Sequence, residues 1–305
     1  MAWFLKMVAK AVAKLPAGVA RALALQWGWA LAKVVRLRRR YVLETLAACF
    51  PEKSAEERRA IYEATCANQA LNLMELMRFA GGREAELGGL LEVRGEENVK
   101  KALERGKGVL ILIAHYGNYD LMGLYATKLF GYPLTIITKT LKNAGLNELW
   151  WELRRKAGVN EVPSHNAYRA CVKALRKNEL VGFMLDQNRP AEQGVFVDFF
   201  GRKASTTPGL AFMSAQTGAP VVPVFMRRTA GGRHELEAQA AIEPPPDRKE
   251  ETLLACTAAY TKIIEDEIRK DPGQWLWLHK RWKSRPAGER AGKPGRGESG
   301  NGPEA

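Results

Sequence analysis

The chain has 305 residues, enough to bury a sizeable core, with an ordinary 46% of hydrophobic residues and a formal net charge of +14. Residues 1–40 hold nine Lys and Arg and no acid, and residues 280–305 add a net +4, so the ends supply thirteen of the fourteen charges. Residues 41–279 are close to neutral, which excludes a domain that reads nucleic acid through a basic face of its fold; Cys49, Cys66, Cys171 and Cys256 are too widely spaced for a CxxC pair or a metal cluster and read as reduced thiols.

In chain order, the N-terminal stretch comes first. Its longest uncharged run, Ala22 to Ala32, is eleven residues, short of the roughly 20 needed to cross a bilayer core. No small-residue cleavage site follows, which argues against a secretory signal. Lys6, Lys10 and Lys14 share one helical face, while Phe4, Leu5, Val8, Val12 and Leu15 cluster on another. With Trp3, Trp27, Trp29 and the basic Arg36, Arg38, Arg39 and Arg40, residues 1–40 are expected to form an amphipathic anchor on an anionic membrane surface. The competing expectation is a helical hairpin packed on the body of the protein. Trp275, Trp277 and Trp282 are a second candidate source of membrane affinity.

Helical patterns fill residues 1–80, broken at Pro16 and Pro51. Ser54 followed by Glu57 predicts an N-cap with its reciprocal carboxylate, and a helix from about Ala55 to Phe79 that Gly81-Gly82 closes. From there the period changes. LLEVRGEENV is expected to be a short strand and turn, followed by a helix over Glu97 to Glu104. GVLILIA, PLTIITKT and ELVGFMLD are uninterrupted apolar runs of strand length, separated by helices around Leu146 to Ala157 and Ala167 to Lys177. VFVDFF and PVVPVFMRR add strands, and Glu251 to Lys270 an amphipathic helix. The alternation predicts an α/β fold, a mixed, largely parallel central sheet flanked by helices. The expected organisation is an anchor region at 1–40, one domain at 41–285, and a tail at 286–305 whose composition predicts disorder.

Ligands of open α/β sheets sit at the carboxyl ends of strands, where VLILIAHYGNYD delivers His115. Asp120 follows five positions later, about 140° around a regular helix at 3.6 residues per turn. The two meet only if His115 lies in the turn before a helix and Asp120 in its first turns, with Gly117 permitting the bend and Asn118 capping the helix. Such a pair suits a general base, the carboxylate fixing the imidazole tautomer. G-x-S-x-G is absent from the chain, so the hydroxyl to be activated belongs to a substrate.

HYGNYD resembles the H-x4-D/E motif of glycerolipid-type acyltransferases, and more closely the HxGNW(D/E) form of the lipid A lauroyl/myristoyl acyltransferase family. The resemblance continues in CFPEKSAEERR, FMLDQNRP, VFVDFFGRKASTTPG, TGAPVVPVF and QWLWLHKRWKSRP, and covers about residues 35–285 in the same order. It implies transfer of a fatty acyl chain from an acyl carrier protein thioester to a hydroxyl of a lipid A precursor or related glycolipid, without metal or cofactor, at the cytoplasmic face of a bacterial inner membrane. His115 takes the place of the base and Asp120 that of its partner. Asp in place of the more common Glu resembles the mycobacterial mannoside-lipid acyltransferases, so a mannoside-type or lysophospholipid acceptor stays open. Asp198 of VFVDFF stands as a rival relay carboxylate. Asp186, Gln187 and Arg189 fall in the acceptor-binding region, and Asn118, Lys139 and Arg155 complete the substrate-binding candidates.

Overall fold

The structure is a computed structural model and describes residues 2–138, 143–164 and 167–288. Lys139 and the tail beyond residue 288 lie outside the described residues. Four helices come first: α1 (Ala2–Lys14), α2 (Ala17–Lys33), α3 (Arg39–Cys49) and α4 (Ala55–Ala80). Pro16 separates α1 from α2 and Pro51 lies between α3 and α4, as expected; the break between α2 and α3, where Arg36 and Arg38 take φ of +53° and +49°, was not anticipated. The Ser54–Glu57 capping box forms with both of its hydrogen bonds.

Then come α5 (Glu84–Gly88), β1 (Leu91–Arg94), α6 (Glu96–Leu103), β2 (Val109–Ile113), α7 (Tyr119–Phe130), β3 (Leu134–Thr138), α8 (Ala144–Lys156), β4 (Val159–Pro163), α9 (Ala167–Arg176) and β5 (Leu180–Met184). The last part holds β6 (Val195–Phe199), β7 (Arg202–Thr206), α10 (Gly209–Thr217), β8 (Val221–Arg228), β9 (His234–Ala238) and α11 (Glu250–Lys270). Among the described residues, seven strands form one sheet in the order β1-β9-β8-β2-β5-β3-β4, and β6 and β7 form a separate hairpin. All pairings in the large sheet are parallel except β8 with β9.

β2 lies in the middle, and alternation along it serves two cores. Leu110, Leu112 and Ala114 join the cluster that includes α3, α4 and α11 residues, while Val109, Ile111 and Ile113 join the cluster under α7. That is why VLILI reads as a continuous apolar run. β1, β4 and β9 (LEVR, VNEVP, HELEA) are short and carry charged or polar residues; β4 and β9, together with β7 and α10, were not anticipated. β1 and β4 are the edges of the sheet, where alternation with polar residues is tolerated.

α1 and α2 pack on α4 through their small residues. Ala9, Ala13, Ala20, Ala24, Gly28 and Ala32 are buried, and a Cβ on Gly28 would stand 2.5 Å from the Ala67 Cα. Close helix contact therefore turns the large apolar side chains outward: Trp3, Phe4, Trp27 and Trp29 are each at least 60% exposed. Of the three predicted surface lysines, Lys6 instead pairs with Glu152 of α8 at 2.5 Å. No described helix is long and apolar enough to cross a membrane. Trp275, Trp277 and Trp282 are buried in the aromatic cluster with Phe50, Phe199 and Phe200, which removes them as membrane-facing side chains.

A buried polar network fixes the turn after β2. Glu75 of α4 pairs with Arg228 at the end of β8 and lies 3.0 Å from His234 Nε2. Asn118 donates to the same carboxylate at 2.7 Å and caps α7 by accepting from the Leu121 N–H. Asn68 and Asn72 donate to the Gly117 carbonyl at 3.2 and 2.6 Å, and Arg228 donates to Asn72 Oδ1 at 2.8 Å. Burial alone raises the Glu75 pKa, but the bonds from His234 and Arg228 outweigh it and hold the carboxyl at about 2. Such a depressed group contributes stability above the ordinary carboxylate pKa, lost as pH falls through the folded value. Glu75→Gln leaves Arg228 buried beside a neutral group and is expected to cost about 3–5 kcal/mol, read as a lowered urea midpoint at neutral pH. The deficit should shrink between pH 4.5 and pH 2; a constant deficit across that window would contradict the charge account.

Candidate active site

The register of the two central strands builds the site. Ile113 of β2 pairs with Met184 of β5, so two residues further along each strand bring His115 and Asp186 side by side on the same face. The Asp186 carboxylate accepts from His115 Nδ1 at 2.9 Å, from the His115 backbone N–H at 2.9 Å, and from Trp275 Nε1 at 2.8 Å. It is 4% exposed. Burial raises its pKa, but the adjacent imidazole and these donors outweigh that and hold it well below the usual carboxylate range. An ionised carboxylate can only accept, so Nδ1 carries the hydrogen and Nε2 is left with its lone pair outward. For His115, burial works against the imidazolium, and Asp186 overcomes it and raises the pKa above the ordinary histidine value.

This arrangement revises the partner expected from the sequence. Gly117 does adopt a positive φ of +59°, and a Cβ there would stand 1.7 Å from the Met226 carbonyl oxygen, so only glycine fits. Asp120 does fall in the first turn of α7. Its carboxylate, however, meets Arg154 of α8 at 3.5 Å, and no hydrogen bond links it to His115; it acts on the ring only through space. Burial raises the Asp120 pKa against the opposing charges of Arg154 and His115. Asp198 is a clearer correction. Val197 and Phe199 turn inward, so alternation points Asp198 to solvent, 70% exposed and paired with Lys203 across the hairpin at 3.2 Å.

Asp186, expected as a contact to the acceptor, is instead in direct hydrogen-bond contact with the histidine. Gln187 Nε2 lies 3.1 Å from His115 Nε2, and Arg189 lines the same opening. Asn118 is fully buried, with both ends of its side chain committed to the fold, and is not available to substrate. Arg155 is exposed and its neighbour Arg154 lines the opening instead. The helical stripe Leu149, Trp150, Leu153, Arg154 marks the inward face, a signal present in the sequence. The Gly117 N–H donates to the Gln274 carbonyl at 3.1 Å and is not a free oxyanion donor. Trp275 had no signal in the sequence as a partner of Asp186, because 89 residues separate them.

Two adjoining spaces lie at the carboxyl ends of the central strands, and His115 lines the first of them. A polar mouth is lined by His115, Trp151, Arg154, Gln187, Asn188 and Arg189. Behind it an apolar channel runs between the α7 face and the sheet, past Ile113 and Met184 at its rim to Phe130, Leu134 and Leu180 at its floor. Ile137, Thr138, Met184 and Arg154 line both. Among the described residues no group of three His, Cys, Asp or Glu stands close enough to hold a metal ion.

The fold and site are those of a largely parallel α/β sheet that presents a histidine–carboxylate pair in a polar mouth beside an apolar channel. The chain belongs to the bacterial lipid A biosynthesis acyltransferase family, whose model matches residues 1–284. It is 30% identical over 251 residues to the lipid A biosynthesis palmitoleoyltransferase of Escherichia coli, covering 81% of this chain and 79% of that protein. It is 27% identical over 284 residues to the lipid A biosynthesis lauroyltransferase of the same organism, covering 91% and 89%. The phosphatidylinositol mannoside acyltransferase of Mycolicibacterium smegmatis is 25% identical over 239 residues, covering 77% and 76%.

The geometry sets a test of the pair itself. Asp186→Asn removes the charge that raises the His115 pKa and offers a donor where Nδ1–H needs an acceptor. The His115 pKa, followed by NMR of the imidazole, is expected to fall in that variant. An unmoved titration would contradict the pairing.

Proposed function

We propose that the protein transfers a fatty acyl chain from an acyl carrier protein thioester to a hydroxyl of a lipid A precursor, with His115 as general base. The observation that carries this reading is the orientation of His115: Nδ1 is held by Asp186, and Nε2 faces the polar mouth, which shares Ile137, Thr138, Met184 and Arg154 with the apolar channel. In the proposed step the acceptor hydroxyl displaces the Gln187 amide at Nε2 and gives its proton to the ring. The hydroxyl oxygen attacks the thioester carbonyl, and the tetrahedral intermediate collapses to the ester. The departing thiolate takes the proton back from the imidazolium. Asp186 stabilises that imidazolium without itself taking a proton.

The remaining features support the substrates. The apolar channel suits an acyl chain, each buried methylene contributing about 0.8 kcal/mol. Arg154 and Arg189 line the mouth, where guanidinium forks can engage phosphate or sugar oxygens. The outward aromatic residues of α1 and α2 fit a peripheral anchor at the inner membrane's cytoplasmic face. α1 packs on α8, which carries Trp151 of the mouth. Similarity to the M. smegmatis mannoside acyltransferase favours a second reading, another glycolipid as acceptor.

His115→Ala is expected to lower kcat for acyl transfer by about 10²–10⁴ while leaving the circular dichroism spectrum unchanged; near-normal transfer would remove His115 as the base. The raised pKa places the base's protonation above 6.5, so kcat/KM is expected to rise with pH through an apparent pKa on that side of the ordinary value. Mass spectrometry of envelope lipids from cells with and without the gene separates the acceptors, by showing which lipid lacks one acyl chain. Replacing Trp3, Phe4 and Trp27 with Ser is expected to reduce co-sedimentation with anionic vesicles, and unchanged binding would refute the anchor.

A further inference from the structure

We propose that Gly123 sets the length of acyl chain that the protein accepts, by leaving one wall of the apolar channel without a side chain. The inference rests on the reading of the channel given above. Tyr119, Met122, Gly123, Ala126 and Phe130 form one face of α7 and line the channel together. Glycine is the poorest helix former short of proline, so its place in the middle of α7 calls for a reason. Its backbone supplies none, since Gly123 is absent from the positive-φ residues. Packing supplies none either, since a Cβ there would meet no atom within 4 Å. What lies beside it is the channel. On the sheet side Gly182 likewise lines the channel, between Leu180 and Met184, and a Cβ there would stand 3.2 Å from Ile136 Cγ2.

The dimensions say what Gly123 controls. From the rim at Thr138 to the floor at Leu134 is four residue steps of β3, roughly 13 Å at about 3.3 Å per residue. With C–C bonds of about 1.5 Å at tetrahedral angles, an extended chain advances about 1.3 Å per carbon, so that depth holds about ten carbons. α7 runs down the channel, and Gly123 lies seven residues, roughly 10 Å, above Phe130 at about 1.5 Å per residue. A side chain at position 123 therefore projects into the upper third and separates the lower channel from the mouth.

The test uses the full chain, saturated acyl carrier protein thioesters of graded length, and an envelope lipid extract as acceptor. Gly123→Leu is expected to move the highest kcat/KM to a shorter donor. Excluding a methylene costs about fourfold, by its burial energy. The preference for the wild-type optimum over a donor four carbons shorter should therefore fall on the order of 10²-fold. Gly123→Ala adds one methyl into open space and improves the helix. It is expected to raise Tm and to shift the same preference about fourfold in the same direction, so it decides the matter if the leucine variant does not fold. A wild-type chain-length profile in the folded variants would overturn the role of Gly123 alone. Absence of turnover of every acyl thioester by the wild-type protein would overturn the underlying reading and this inference with it.

Discussion

A buried carboxylate must be fully partnered, because taking an ion out of water costs several kcal/mol unless hydrogen bonds and opposite charge replace the lost hydration. Asp186 is that ion here, and satisfying it organises the site. Its three donors come from two places in the chain, the turn after β2 and the C-terminal segment. The same segment clamps the turn again, as the Leu276 N–H donates to the His115 carbonyl and Gln274 accepts from Gly117. The histidine is consequently held in one orientation and one tautomer. Its reactive nitrogen is the atom left facing outward.

The two sides of the β2–α7 turn are secured by different chemistry. On the outer side lies the Asp186 cluster, and on the inner side the Glu75–Arg228–His234 network that grips Gly117 and Asn118. Both rely on ionised groups in a dry environment, where directional bonds are strong and misplacement is costly. Between α7 and the sheet the opposite principle applies, since an apolar channel stays open only where side chains are small. Gly123 supplies that absence of volume, since a Cβ there would meet no atom within 4 Å.

The elements with strong local signals were legible. α4 carries its capping box in its first residues, and β2, β3 and β5 are too apolar to sit anywhere but in the middle of a covered sheet. The bend at Gly117 and the cap at Asn118 were also legible, because they are local. β4 and β9 were not, as short strands with charged residues depend on a neighbour that the sequence does not identify. The N-terminal helices illustrate the same limit. Amphipathic patterning marked the large side chains as the binding face, whereas the alanines and glycines make the contact with α4 and turn the large residues out.

The sequence by itself determined the class of fold, the presence of His115 at a strand end, and the family to which the motif and its surroundings belong. Only the tertiary structure decided which carboxylate serves the histidine. Asp120 is five residues away and Asp186 seventy-one, yet the parallel register of β2 and β5 puts the distant one in contact and the near one against Arg154. The physical reason is that strand register and helix packing are set by long-range burial. Spacing along the chain constrains only what one turn can reach.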